Sequence, residues 1–369
     1  MVLIWNSRLE KDVLTALQRA LQSLPNLALV NVRENVELQK ESVRYEADAI
    51  VQIEMNGKPT TLLIETKNSV FPRDAREIIW QLRRLQTVLH EVEGLDNLLP
   101  VIASRALSEG AKSFLRSENI GYFEEGGSLY LANRDLYVFL DKPPSKKTNR
   151  TQRSLFAGRR AQVLLALLQE PQSWRGVNEL AKKVFVSPAT VSQVLVDLES
   201  REWVSTRGTG PHKERMLRQP GALLEAWAKQ VAEAPKPRLR RFFVSSLKPE
   251  ELMLRIHQIC EAKNIAYAIT GEWAAQLYSP FLSSVSQIRL RFPSDQPLAS
   301  LASDLNAREV TEGSNLAVIE TPSYGDFLFR EKERGVWLAN PIIVYLDLLQ
   351  SDGRAKDMAE HLRRERIHF

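Results

Sequence analysis

The sequence predicts a multidomain protein of α/β and α+β class, and three observations predict it. Segments with helical apolar spacing alternate with short apolar, β-rich runs along the whole chain. Residues 141–154 and 232–241 combine prolines with small polar and basic residues, a composition that cannot bury a core and reads as connection. Between two of the strand-like runs lies Asn56-Gly57, a strong hairpin signal. The chain therefore divides into a first segment at 1–142, a basic linker at 143–154, a middle segment at 155–232 and a last segment at 240–369.

Composition bounds the function classes. The 369 residues are 44% hydrophobic and 26% charged, ordinary for a soluble globular chain. No run of eighteen apolar residues exists to span a membrane, and the start lacks a basic stretch followed by an apolar one. Cys260 is the single cysteine, which excludes an internal disulfide or a cysteine-based zinc cluster and fits a reducing cytoplasm. The net charge of +5 mildly favours an acidic partner, and its location matters more than its size. Residues 142–160 hold seven Lys or Arg and no Asp or Glu, so this stretch is either a solvated linker or an arm along nucleic acid.

In the first segment, Leu9, Val13, Leu14, Leu17 and Leu21 predict a helix over 7–22. Strands are expected near 28–33, 45–54 and 60–67, a helix over 74–91, a strand at 99–104, a helix near 108–118 and short strands at 120–123 and 129–131. This order gives a mixed sheet with helices. Asp48 lies within the apolar strand Ala47-Asp48-Ala49-Ile50-Val51, and its hairpin partner ends in Glu65-Thr66-Lys67. Two such strands can bring two carboxylates and an ammonium to one point, suited to a hard divalent cation and a phosphate. The alternative is that Asp48 and Glu65 form only surface ion pairs with Lys67 or Arg44.

These residues, with Glu10 on the first helix and Gln81 on the second, resemble the PD-(D/E)XK nucleases of restriction-endonuclease-like fold, over about 130 residues. The resemblance implies Mg²⁺ held by Asp48, Glu65 and the Thr66 carbonyl, and Lys67 orienting the attacking water or stabilising the phosphorane. It also implies Glu10 as an outer or second-metal group and Gln81 as a DNA or active-site contact. Two departures stand out. Ala47 occupies the place of the motif's proline, and Gln81 lacks the tyrosine four positions later.

The middle segment predicts helices at 160–170, 177–184 and 189–201, the last opened by Ser187-Pro188 as N-cap and first helical residue. A hairpin follows, with strands at 203–207 and 214–217 and its tip at 208–213. The string from Glu179 to Val204 resembles a winged helix-turn-helix closely. Such a module sets the start of its third helix against base edges and its wing on phosphates. Lys182, Lys183, Ser187, Thr190, Ser192, Gln193, Arg207, His212 and Lys213 are the expected contacts to double-stranded DNA, and Gln193 alone carries an amide suited to bidentate adenine recognition. The same module can instead serve protein–protein contact.

The last segment predicts a helix at 249–260, a strand at 265–270, a helix from Gly271 and a strand at 286–292. It looks like a nucleotidyltransferase core whose metal-binding carboxylates are replaced by Gln287, Arg289 and Arg291, so transferase activity is not expected. Together with 340–349 and 353–362, it is similar to the C-terminal domain of AbiEi-type antitoxins, transcriptional regulators of type IV toxin–antitoxin systems. That resemblance spans 155–369 and implies a DNA-binding regulator with a partner protein such as a toxin, and it leaves a homodimer open. His90, His212, His257, His361 and His368 show no metal-ligand spacing. The leading expectation is a DNA-binding protein of a mobile or defence element with a Mg²⁺-dependent nuclease-like domain. The other is a non-enzymatic regulator that uses that domain for binding or dimerisation.

Overall fold

The computed structural model describes residues 2–40, 43–142, 155–245 and 247–369, so the linker expected at 143–154 lies outside the described residues. The chain divides into two units, one built on Met1–Gln152 with Val196–Glu202, the other on Arg153–Leu195 with Trp203–Phe369. Both carry mixed α/β architecture, as the sequence predicts.

In the first unit, α1 (Val2–Gln22) precedes the antiparallel strands β1 (Leu27–Lys40), β2 (Val43–Met55) and β3 (Lys58–Val70). Helix α2 (Pro72–Glu93) then carries the chain to β4 (Leu98–Leu107), parallel to β3. Helix α3 (Glu109–Ser117) leads to β5 (Gly121–Glu124), parallel to β4, and β6 (Leu129–Ala132) and β7 (Tyr137–Leu140) finish the seven-stranded sheet in sequential order. β1 runs well past the six residues expected, because Val36 and Leu38 are buried on the β1–β2 ladder. β7 escaped the sequence reading because three of its four residues are exposed, which leaves no alternation to read.

The sheet is buried on both faces. Val13, Leu14, Leu17 and Leu21 of α1 pack with Ala49, Val51, Leu62 and Ile64 in one cluster. Ile78, Ile79, Leu82 and Leu89 of α2 pack with Ile50 and Leu63 in another. Successive strand residues point to opposite faces, so an uninterrupted apolar run such as Leu62-Leu63-Ile64 serves both. Asn56 and Gly57 take positive φ values of 53° and 79°, the twist a two-residue hairpin requires.

In the second unit, α4 (Gly158–Gln169), α5 (Val177–Lys183) and the start of α6 (Pro188–Ser200), whose residues from Val196 group with the first unit, precede a small sheet of order β8 (Arg175–Gly176), β10 (Glu214–Leu217), β9 (Val204–Arg207). Leu164, Leu180, Val191, Val194 and Leu195 are fully buried, which sets the apolar faces of the three helices inward. After α7 (Pro220–Glu233), β11 (Leu239–Phe243) enters a second seven-stranded mixed sheet. Helix α8 (Pro249–Ala262), β12 (Ala268–Thr270), α9 (Gly271–Tyr278) and β13 (Ile288–Pro293) follow. β13 lies antiparallel to β12 and parallel to β14 (Leu316–Thr321), and α10 (Pro341–Leu349), buried along nearly its whole length, closes that core. Cys260 is buried there, and burial pushes its thiol up to about 12, which leaves it an unreactive thiol at neutral pH. Among the described residues no helix is long and apolar enough to cross a membrane.

Candidate functional site

The β2–β3 hairpin sets the first candidate site. Its ladder runs from Met55 opposite Lys58 to Ala49 opposite Ile64, so one further step places Asp48 across from Glu65. There regular pairing gives way to side-chain bonding. The Thr66 backbone N–H and hydroxyl both donate to Asp48 Oδ2, at 2.6 and 2.7 Å. Two donors on one carboxylate oxygen hold Asp48 in place and leave its other oxygen for a ligand. Lys67 Nζ donates to Glu65 Oε1 at 2.5 Å, with the Glu65 side chain only 14% exposed and Lys67 40%.

Electrostatics join Glu10 to this group. Burial pushes the Glu65 carboxyl above its ordinary range, and the Asp48 charge adds to that, while Lys67 pulls it back. Glu10 is raised for the same reasons in the same order: burial, then Asp48, with Lys67 opposing. Three carboxylates and one ammonium thus share a corner of the sheet with negative charge in excess, an arrangement that a cation would relieve. Gln81 is exposed on α2, and none of the hydrogen bonds among the described residues joins it to this group.

The donor set can be tested against Mg²⁺. Among the described residues no group of three or more His, Cys, Asp or Glu side chains is disposed to hold a metal ion. Mg²⁺ does not need such a cage, because it keeps several waters and binds through one or two carboxylates together with substrate phosphate. Asp48 and Glu65 fit that mode. Thr66, expected to contribute its carbonyl, uses its N–H and hydroxyl to fix Asp48.

The second candidate site is the surface of α5, α6 and the β9–β10 wing. Ser187 caps α6, accepting from Thr190 N at 3.3 Å and lying 3.0 Å from the Thr190 hydroxyl. Lys182 and Gln193 are exposed, and Ser192 is half-buried. Lys183 is turned to Glu170 at 2.7 Å, and burial first, then Arg175, lowers its pKa. Arg207 donates to Glu214 at 2.6 Å and lies over the Trp174 ring at 4.5 Å. His212 is exposed at the wing tip and Lys213 half-buried. Glu170, Trp174 and Glu214 were the residues sequence reasoning missed; their separation from the helix-turn-helix string hid their pairing with its cations.

The third place of interest lies on β13. Arg289 and Arg291 stand opposite Thr270 and Ala268 of β12. Arg291 grips Asp347 through Nε at 3.0 Å and Nη2 at 2.5 Å, and Asp326 through Nη1 at 2.6 Å. Thr270 donates to Asp347 and Thr321 to Asp326. Burial works against the guanidinium charge, but Asp347 and then Asp326 outweigh it and raise the Arg291 pKa. Gly271 opens α9 at φ 65°, and a Cβ there would stand 3.4 Å from the Arg289 side chain. Arg291, Asp347 and Asp326 thus form one ion cluster, while Arg289 donates to the Ser351 hydroxyl. Asp326 and Asp347 lie far along the chain from Arg291, and no local pattern marked them.

Comparison with known proteins found no match among curated sequences. One solved structure, EndoMS in apo form, is similar at 14% identity and a TM-score of 0.21, covering 30% of this chain and 45% of that one. A repair endonuclease from Pyrococcus abyssi is similar at 18% identity and a TM-score of 0.17, covering 25% of this chain and 38% of the other. The chain thus covers less than half the length of either structure. The family model described as transcriptional regulator, AbiEi antitoxin, type IV TA system matches residues 215–368, from the last wing strand to the final helical turn, and leaves the three helices before it unmatched. Residues 215–368 are thus similar to the AbiEi antitoxin transcriptional-regulator domain.

Proposed function

We propose that this protein is a DNA-binding transcriptional regulator of AbiEi type, whose winged helix docks on duplex DNA. The observation that carries this reading is the succession of three helices and a wing over 158–217, running directly into the residues 215–368 that match the AbiEi family. The capped start of α6, with no acidic residue in its first turn, suits a groove lined by phosphates. Lys182, Ser187, Gln193, Arg207 and His212 are the exposed side chains for DNA; Arg207 also pairs with Glu214, and the half-buried Lys183 pairs with Glu170. Binding of the full-length protein to its own upstream region, measured by anisotropy across a salt series, tests this. Affinity that falls steeply with salt and is weakened by Lys182→Ala and Gln193→Ala supports it; no binding to duplex at low salt refutes it.

A second reading concerns the first unit and rests on the gathering of Asp48, Glu65, Lys67 and Glu10. There Asp48 and Glu65 would hold Mg²⁺, which supplies Lewis-acid polarisation of a phosphoryl oxygen. The chain's own part is to position and to neutralise. Thr66 fixes Asp48, and the Lys67 ammonium, half-exposed beside Glu65, orients a water and offsets charge growing on the phosphate. Glu10, its carboxyl raised by burial and by Asp48, would accept or return a proton. Incubating the protein with supercoiled and linear DNA, with Mg²⁺, Mn²⁺ or chelator, decides it. Metal-dependent nicking lost in Lys67→Ala supports hydrolysis; no nicking by the native protein with any metal sinks it and leaves the regulator reading intact.

A further inference from the structure

We propose that Phe185, in the turn between α5 and α6, contacts DNA and reads a thymine methyl group at the edge of the site that α6 faces. The inference rests on the reading that the winged helix docks on duplex DNA. Two independent features set Phe185 apart. It is 84% exposed, the most exposed of the large apolar side chains described. It also takes a φ of 54°, in the left-handed region that a bulky side chain occupies only at a cost to stability.

The turn enforces both features. Val184 and Val186 are buried at 0% and 6% exposure, and Val186 N–H returns to the Ala181 carbonyl at 3.0 Å, closing α5 in the manner of a glycine cap. The residue between the two valines must point outward with positive φ, and glycine would satisfy both demands without penalty. A phenylalanine there is unfavourable for folding on two counts, so its value lies outside folding.

Its surroundings indicate the partner. Lys182, exposed and with no carboxylate partner among the described residues, precedes it by three positions. Ser187 and Thr190 follow at the start of α6, whose first turn carries no acidic residue. The ring is thus an apolar point bordered by a cation, hydroxyls and a helix N-terminus, groups that meet phosphate and base edges rather than an apolar protein face. In the major groove the apolar feature available to such a ring is the thymine C5-methyl.

The test uses the full-length protein and a duplex selected by it from a random-sequence pool, with affinity read by anisotropy at fixed salt. Phe185→Gly should unfold at the same or a higher temperature than the native protein and yet bind about tenfold more weakly. Replacing thymidine by deoxyuridine in the duplex removes the methyl groups; it should weaken the native protein and leave Phe185→Gly nearly unchanged. If Phe185→Gly binds as tightly as the native protein, or if deoxyuridine weakens both alike, the role of Phe185 is overturned while docking stands. If the native protein retains no duplex from the pool, docking and the inference fall together.

Discussion

Substituting Arg291→Met removes a guanidinium that makes three hydrogen bonds to Asp347 and Asp326, at 2.5 to 3.0 Å. Methionine keeps most of the side chain's length and apolar contact, so the change is chiefly electrostatic. It leaves Asp347, 5% exposed, and Asp326 facing each other without a cation. Breaking a buried ion pair by removing one partner costs about 3–5 kcal/mol. Thr270 and Thr321 still donate to the two carboxylates, which argues for the lower end of that range. For a unit of this size, 3 kcal/mol lowers the melting temperature by roughly 6–12 °C. Calorimetric melts of the full-length protein measure it. A triple variant, Arg291→Met with Asp347→Leu and Asp326→Leu, should recover most of the loss, because no charge then remains buried. A deficit below about 1 kcal/mol would refute the reasoning that the cluster is a tightly coupled buried charge network.

Three further outcomes are expected. Magnesium at ten times its dissociation constant should stabilise the full-length protein by about 1.4 kcal/mol, and the gain should fade on acidification, because the raised Glu10 and Glu65 carboxyls take up protons before ordinary ones do; a melting temperature unmoved by Mg²⁺ at pH 8 would remove the ion from this corner. Thr66→Val deletes the hydroxyl bond to Asp48 and keeps the backbone one, so it should weaken that stabilisation more than it lowers stability without metal; equal effects in both conditions would make Thr66 a core residue alone. Gly208→Ala places a Cβ 2.5 Å from the His212 carbonyl at φ 73°, so the wing tip must shift; duplex affinity should fall several-fold, checked by anisotropy, while an unaltered affinity would take the wing out of the interface.

Particular residues show where the sequence was legible. Asn56-Gly57 between two apolar runs marked the hairpin, and with it the register that sets Asp48 across from Glu65. The string through Ser187-Pro188 marked the start of α6, because capping is a local matter of a side-chain oxygen and the next free N–H groups. The buried faces of α1 and α2 followed from helical spacing. The exposed β7 and the outer half of β1 did not follow, since edge strands with mixed exposure carry no clean period.

The sequence by itself determined the hairpin carrying Asp48 and Glu65-Thr66-Lys67, and the helices α5 and α6. Each rests on interactions between residues close in the chain or on short repeating patterns. Only the tertiary structure decided that Thr66 fixes Asp48, that Lys183 and Arg207 pair with Glu170 and Glu214, and that Arg291 is locked between Asp326 and Asp347. Those facts depend on which side chains meet after folding, across separations from a few residues to more than fifty. A charged side chain is equally content, as far as sequence shows, to face water, a ligand or a buried partner, and only the packed core settles which.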